Sequence, residues 1–351
     1  VSERSEARKA ARAQKKEVRQ AARAEKRGVK VAARAAKKTV KAAAKTDKRE
    51  ARAQKKTTKQ AAKEARREGK GPKTGHFWRE LLVADDLRLR EHIRTGSIDV
   101  RTGAHVRLHK GKNLEEARAA FTQALGTPRQ GGEHLVLLLH GYGGKARRMV
   151  PLRDALRTEG FVAEVVQYPS LFRSVDETSK SIADLCVGSA ALHGGRIKTV
   201  SLVAFSMGGL VASSVVTMLL QREAGFVPGR LVTIGTPHRG SPLADVTNWL
   251  SFLGGPNITR LCTRNDEELA SLRRSGVSFG VIAGDGVKNG WHTLGQLRDG
   301  DGVVPLNSAV IEGAEDKLVL QHVKHTALPS NPVVLESVGR YLKTGRFGGA
   351  R

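Results

Sequence analysis

Midway along the chain, Val203-Ala204-Phe205-Ser206-Met207-Gly208-Gly209 sets a serine between the apolar run KTVSLVAF and two glycines, after which apolar spacing resumes in LVASSVVTMLL. A serine hydroxyl is a poor nucleophile until a base takes its proton, and that base needs a carboxylate to orient it. Both residue types follow downstream. Asp299 and Asp301 lie in DGDGVVP, and His322 and His325 in HVKHTALPSNPVV. Upstream, His140-Gly141-Tyr142-Gly143-Gly144 follows the run LVLLL. A tetrahedral intermediate needs donors aimed at its oxyanion, each worth ~3 kcal/mol of barrier. The backbone N–H of Met207, next after the serine, and that of Tyr142 are the candidate donors. The chemistry these types allow is acyl transfer through a serine. His140, inside its HG pair, reads as a brace for the loop rather than as the base.

Such groups must converge, and the pattern of the chain predicts how. From Glu133 onward continuous apolar runs alternate with helical patterns: HLVLLLHG, FVAEVVQYPS, KTVSLVAF, GRLVTIGTP, VSFGVIAG and DKLVLQ as strands, with helices between most of them and NPVVLESVGRYLKTG closing the chain. Strands apolar on both faces and separated by helices imply a mostly parallel sheet covered on both sides. In such a sheet function sits beyond the carboxyl ends of the strands, which is where these loops fall. Ser206 then occupies a sharp strand-to-helix turn that tolerates only small residues two positions to either side. Ala204 and Gly208 fill those places, so the usual G-x-S-x-G becomes A-x-S-x-G.

From about His134 to Phe347 the sequence resembles the bacterial esterase/lipase branch of the α/β-hydrolase superfamily. The resemblance is carried by HGYGG, AFSMGGLVA, TIGTPHRGSPLAD (233–245), FGVIAG with DGDGVVP, and HVKHTALPSNPVV with GRF at 345–347. The order Ser, Asp, His along the chain is that superfamily's order. The resemblance implies an α/β-hydrolase fold, with Ser206 as nucleophile, Asp301 as acid ahead of Asp299, His325 as base ahead of His322, and an oxyanion hole at Tyr142 and Met207. It also implies action on a small-molecule or lipid carboxylic ester. Thioester, amide and polyester cleavage are rivals on the same triad, and an inactive polyanion-binding scaffold is the rival of another class. Residues 238–275, with Leu250, Phe252, Leu253, Ile258 and Leu261, read equally as a lid or acyl wall and as ordinary amphipathic helices. His238 reads as loop scaffold. No metal or other cofactor is expected, since the sequence shows no metal-ligand cluster and HGYGG lacks the G-x-G-x-x-G frame of a dinucleotide loop.

The first seventy residues differ from the rest. They hold 26 Lys and Arg against 8 Asp and Glu, 19 alanines and no aromatic residue, and so carry +18 of the chain's +27. AARAQKK, AARAEKR, AARAAKK and AAKTDKR recur every eleven residues, close to three helical turns, which puts alanine on one stripe. Residues 1–72 are therefore expected to form a basic helical or disordered arm that binds nucleic acid or another polyanion by counterion release, with an anionic membrane surface as second target. GKGP at 69–72 is the expected linker. Residues 73–132 read as a helical packing extension, with helices over 77–93 and 114–125 and a short hairpin over 97–108, and 133–351 as the catalytic domain. Cys186 and Cys262 read as buried filler. No apolar run approaches the ~20 residues of a membrane span, and no apolar segment of signal-peptide type follows the basic start, so a cytoplasmic protein is expected.

Overall fold

The computed structural model describes residues 75–102, 106–144, 146–240, 266–286 and 299–348. The chain divides between Arg67 and Glu68, and every described residue belongs to the second unit. The basic arm, its linker, Cys262 and most of the 238–275 stretch lie outside the described residues.

Two sheets make up the frame. The first is antiparallel, in the order β1-β2-β3-β4: β1 Trp78–Ala84, β2 Leu87–His92, β3 Ile98–Arg101 and β4 Arg107–Gly111. Helix α1, Leu114–Leu125, packs on it, and the Asn113 side chain caps that helix by accepting from the N–H of Glu115 and Glu116. The hairpin expected over 97–108 corresponds to β3 and β4, and the helix over 114–125 to α1. The helix expected over 77–93 is not there: that stretch is the hairpin of β1 and β2. Its two-residue turn, Asp85 and Asp86, has φ of 47° and 66°, the doubly left-handed turn that suits the twist of a hairpin. Residues Trp78, Glu80 and Leu82 of β1 and Leu87 and Leu89 of β2 are buried in alternation. The alternation runs on through the register shift between Glu80 and Leu82, and Leu82, Val83 and Ala84 are then buried in succession, Val83 in the core of the parallel sheet and its neighbours in the core with α1. Burial on both faces makes the run LLVA mimic a helical stripe.

The second sheet has six parallel strands in the order β10-β9-β8-β7-β5-β6. They are β5 His134–Leu139, β6 Val162–Val166, β7 Thr199–Phe205, β8 Val227–Ile234, β9 Phe279–Asp285 and β10 Asp316–Gln321. Side chains alternate between two cores. Leu135, Leu137, Leu139, Val200, Leu202 and Ala204 face one of them, with α3 (Val175–Ala191) and α4 (Met207–Leu220). Val136, Leu138, Val203 and Phe205 face the other, with α2 (Val150–Thr158) and α7 (Pro332–Thr344). Burying each Val, Leu or Phe contributes about 1.5–3 kcal/mol, which is why the strands are apolar on both sides. Shorter helices α5 (Asp266–Arg274) and α6 (Leu306–Ala309) precede β9 and β10. This is the covered parallel sheet that the alternating pattern implies, and the α/β-hydrolase fold that the family resemblance implies. The chain leaves β5 to one side for β6 and returns to the other for β7, so the crevice of the sheet opens between the ends of β5 and β7.

The sheets meet along β6. Buried Glu164 of β6 pairs with Arg88 of β2 at 3.0 Å and with Arg157 of α2 at 2.8 Å, and Asp86 pairs with Arg153 at 3.0 Å. The Ser189 hydroxyl of α3 accepts from Val83 N–H at 3.1 Å. Fixed partners of this kind specify one docking orientation more than they add stability.

Candidate active site

Ser206 sits between the last residue of β7 and the first of α4 with φ 57° and ψ −130°. A non-glycine residue held there costs of order 1–3 kcal/mol, so the surroundings must enforce it. Ser206 N–H donates to Ile234 O of β8 at 2.8 Å, and Gly209 N–H to Ser206 O at 2.9 Å. The neighbours must be small. A Cβ at Gly208 would lie 2.6 Å from His140 O, and one at Gly209 would overlap the Thr236 side chain. Ala204 lies within β7, with its methyl in the core shared with Leu139 and Val211. An alanine therefore replaces the usual first glycine without strain.

Three of the residues singled out in the sequence converge. His325 opens a turn of 3-10 helix beyond β10, His325–Ser330. Its Nε2 lies 3.1 Å from Ser206 Oγ, and its Nδ1 2.6 Å from Asp301 Oδ2. Asp301 is buried, and its other oxygen accepts the N–H groups of Val303 and Val304 at 2.9 and 2.8 Å. An acceptor that close to Nδ1 puts the ring proton on Nδ1 and leaves the Nε2 lone pair for the serine hydroxyl. The His325 N–H also donates to Asp301 O at 2.9 Å, so backbone and side chain share one alignment. Gly235 makes room: a Cβ there would lie 3.1 Å from both Asp301 Oδ2 and His325 Nδ1.

The alternatives lie apart from this cluster. Asp299 is exposed, and His322 is exposed with its Nδ1 3.0 Å from Gly286 O. Met207 is the first residue of α4, whose N–H has no carbonyl one turn earlier to bond. Gly141 brings the HGYGG loop against the serine: a Cβ on it would fall 2.8 Å from Ser206 Cβ. Tyr142 follows on that loop.

His140 is fully buried and stacked on Tyr168, with ring centroids 4.2 Å apart. Burial, with Arg148 nearby, pushes its pKa down to about 4, so the ring is neutral at pH 7. His238 is also buried, bonded to Thr233 Oγ1 at 3.1 Å, and burial takes its pKa to about 3. Burial pushes the Cys186 thiol up to about 12, in keeping with core filler. Among the described residues no group of three or more His, Cys, Asp or Glu is placed to hold a metal ion, and no helix is long and apolar enough to cross a membrane.

The sequence reading missed Gln167, Tyr168 and Glu80. Gln167 Nε2 lies 3.1 Å from His140 Nε2, the Tyr168 hydroxyl donates to His140 O, and Glu80 accepts from Gln167 N–H at 2.8 Å. The available signals were the polar pair closing FVAEVVQY and an acid on the inward side of a strand, the second hidden by the helical reading of 77–93.

Residues 129–251 match the family described as "Putative serine esterase (DUF676)". No curated protein matches the chain. Solved structures resemble it at low identity. The mature lipase BlEst2 of Bacillus licheniformis is 18% identical over 59% of this chain and 90% of its own, with a TM-score of 0.46. A gene product of Listeria innocua is 16% identical over 61% and 94%, with a TM-score of 0.43. The metagenomic carboxyl esterase MGS0156 is 16% identical over 63% and 78%, with a TM-score of 0.42. The family match runs from the approach to β5 past the end of β8, across the HGYGG loop and the serine turn. The sheet domain is a serine ester hydrolase of the α/β-hydrolase fold.

Proposed function

We propose that this protein hydrolyses carboxylic esters through an acyl-enzyme formed on Ser206. The observation that carries the reading is the alignment of Ser206 Oγ, the His325 ring and Asp301 at 3.1 and 2.6 Å. His325 Nε2 takes the hydroxyl proton as Ser206 Oγ attacks the acyl carbon. The Asp301 carboxylate, its second oxygen already held by two N–H groups, orients and stabilises the imidazolium. The carbonyl oxygen gains charge and turns toward the N–H groups of Met207 and Tyr142. His325 then returns its proton to the departing alkoxide. Water, deprotonated by the same ring, attacks the acyl carbon and releases the acid and free Ser206. The triad specifies acyl transfer and not the leaving group, so thioesters, amides and polyesters belong in the substrate test beside esters.

A fluorophosphonate probe tests the nucleophile. The wild type should label, and Ser206→Ala should not; equal labelling of both would overturn the proposal. A panel of 4-nitrophenyl esters of rising chain length, run beside matching thioesters, then ranks the substrates.

For the arm, a surplus of +18 over seventy residues supports binding to a nucleic acid backbone. Affinity for duplex DNA should fall steeply with salt and vanish when residues 1–72 are deleted. Undiminished binding after deletion would remove this part of the proposal.

A further inference from the structure

Gln167 follows β6, far from the serine in sequence, and its hydrogen-bonding capacity is filled in one direction. Its N–H donates to Glu80 Oε2 at 2.8 Å, and its carbonyl accepts Glu80 N–H at 3.2 Å. Its side-chain Oε1 accepts Ala146 N–H at 3.0 Å. Its Nε2 reaches His140 Nε2 at 3.1 Å and Tyr168 O at 3.2 Å. The Ala146 donor settles which end of the amide is oxygen, so the nitrogen faces the histidine.

This fixes the ring of His140. Its Nε2 faces two donors, Gln167 Nε2 and the more distant Tyr168 N–H at 3.4 Å, and must be an acceptor. The ring proton therefore sits on Nδ1 and is donated to Gly141 O at 2.8 Å. Gly144 N–H donates to the same oxygen at 3.0 Å, and a Cβ at Gly144 would lie 2.7 Å from it. Gly141 O belongs to the peptide whose other edge is the Tyr142 N–H. In a planar trans peptide the C=O and N–H point in opposite directions, so holding the oxygen aims the hydrogen.

We infer that Gln167 is a positioning residue for the oxyanion hole: clamped by Glu80 of the antiparallel sheet, it sets the His140 tautomer and thereby aims the Tyr142 N–H at the reacting carbonyl. The inference rests on the reading of Tyr142 as an oxyanion donor. It gives the antiparallel sheet a part in rate, because Glu80 holds Gln167 by backbone and side chain together.

The test compares Gln167→Met, Glu80→Ala and Glu80→Gln, with active sites counted by end-point fluorophosphonate titration. Removing an oxyanion donor outright lowers kcat by about 10²–10³, and losing its aim should lower it by about tenfold to hundredfold. That loss should appear in kcat per titrated site, with KM within about twofold. Inhibition by a trifluoromethyl ketone, which binds as an oxyanion, should weaken by the same factor. Glu80→Gln keeps an acceptor for Gln167 N–H and should recover most of what Glu80→Ala loses. If Gln167→Met yields no titratable protein, Gln167→Glu, equal in size but lacking both Nε2 donors, is read in the same way. Full kcat per site in the Gln167 variant and Glu80→Ala would overturn the inference, as would a loss confined to KM or a Glu80→Gln as deficient as Glu80→Ala. Turnover surviving in Ser206→Ala would instead overturn the reading of the site, whatever Gln167 does.

Discussion

The parallel and antiparallel sheets are held by different forces. Around Ser206 the elements are fixed by dry apolar packing on both faces of β5 and β7, and the polar contacts are short and local to the loops. Around β1 and β2 Val83 joins that core, and the other contacts to the rest of the domain are mostly charged and reach across the fold: the ion pairs of Arg88 with Glu164 and Arg153 with Asp86, and the hydrogen bond from Gln167 N–H to Glu80. Apolar packing resists strain, which lets Ser206 keep its left-handed backbone. Ion pairs give direction, which lets a small sheet dock in one orientation. Changes in the first region should therefore touch chemistry before stability, and changes in the second stability before chemistry, except at Glu80, whose hold on Gln167 leads to the loop of Tyr142.

The sharpest break of that contrast is Ser206→Ala. Ester turnover should fall by about 10⁴-fold or more, because the nucleophile is removed while the rest of the triad has nothing to activate. The unfolding free energy should stay within about 1 kcal/mol, since the methyl fits where the hydroxymethyl was. Kinetics beside urea denaturation would check both halves, and a large stability loss would contradict the comparison.

Glu164→Ala is the counterpart. It strips Arg88 and Arg157 of a buried carboxylate, and breaking such a pair from one side costs about 3 kcal/mol or more. Activity per folded molecule should fall by less than about threefold, because Glu164 does not touch the serine cluster. Urea melts and active-site titration separate the two effects.

That division also governs what could be read from the chain. The loops carrying Ser206, Asp301 and His325 announce themselves locally, since each follows an apolar run and each turn needs small residues nearby, such as Gly208 and Gly235. The parallel sheet was equally plain, because both faces of its strands are apolar. The antiparallel sheet was obscured at β1, whose end is buried on both faces, so that WRELLVA read as a helix. Gln167 was out of reach for a further reason: its partner Glu80 is 87 residues away, and no local pattern marks a contact of that kind. Choosing Asp301 over Asp299 from the sequence needed the family resemblance, because a DGDG turn offers two similar acids.

Acid should weaken the domain through histidines that do no proton transfer. His140 and His238 have pKa values near 4 and 3, below the ordinary 6.5, because burial disfavours their charged forms. The folded state therefore binds fewer protons than the unfolded one. Their stabilising contribution is complete above about pH 6.5 and is lost as pH falls through that value toward 4 and then 3. For His140 the ceiling is about 3 kcal/mol at 1.36 kcal/mol per pH unit. Urea midpoints measured from pH 7 to 4.5 should fall steadily, and His238→Gln, which can still bond Thr233, should flatten part of the slope. An unchanged slope in that variant would show that other groups carry the acid sensitivity.

The smallest effect expected is at Ala204, where the sequence departs from the usual glycine. If that glycine were needed for the turn itself, Ala204→Gly would relieve strain and raise both stability and rate. The geometry argues otherwise. Ala204 has no positive φ, lies within β7 and is fully buried among Leu139, Met207 and Val211. The constraint at the turn falls instead on Ser206, Gly208 and Gly209, whose backbones meet β5, β8 and Thr236. Ala204→Gly should thus remove a packed methyl and loosen a strand, costing about 1 kcal/mol, and leave kcat within about twofold. A rise in stability would place the strain of the serine turn two residues deeper in the sheet, where apolar packing rather than the loops would have to support it.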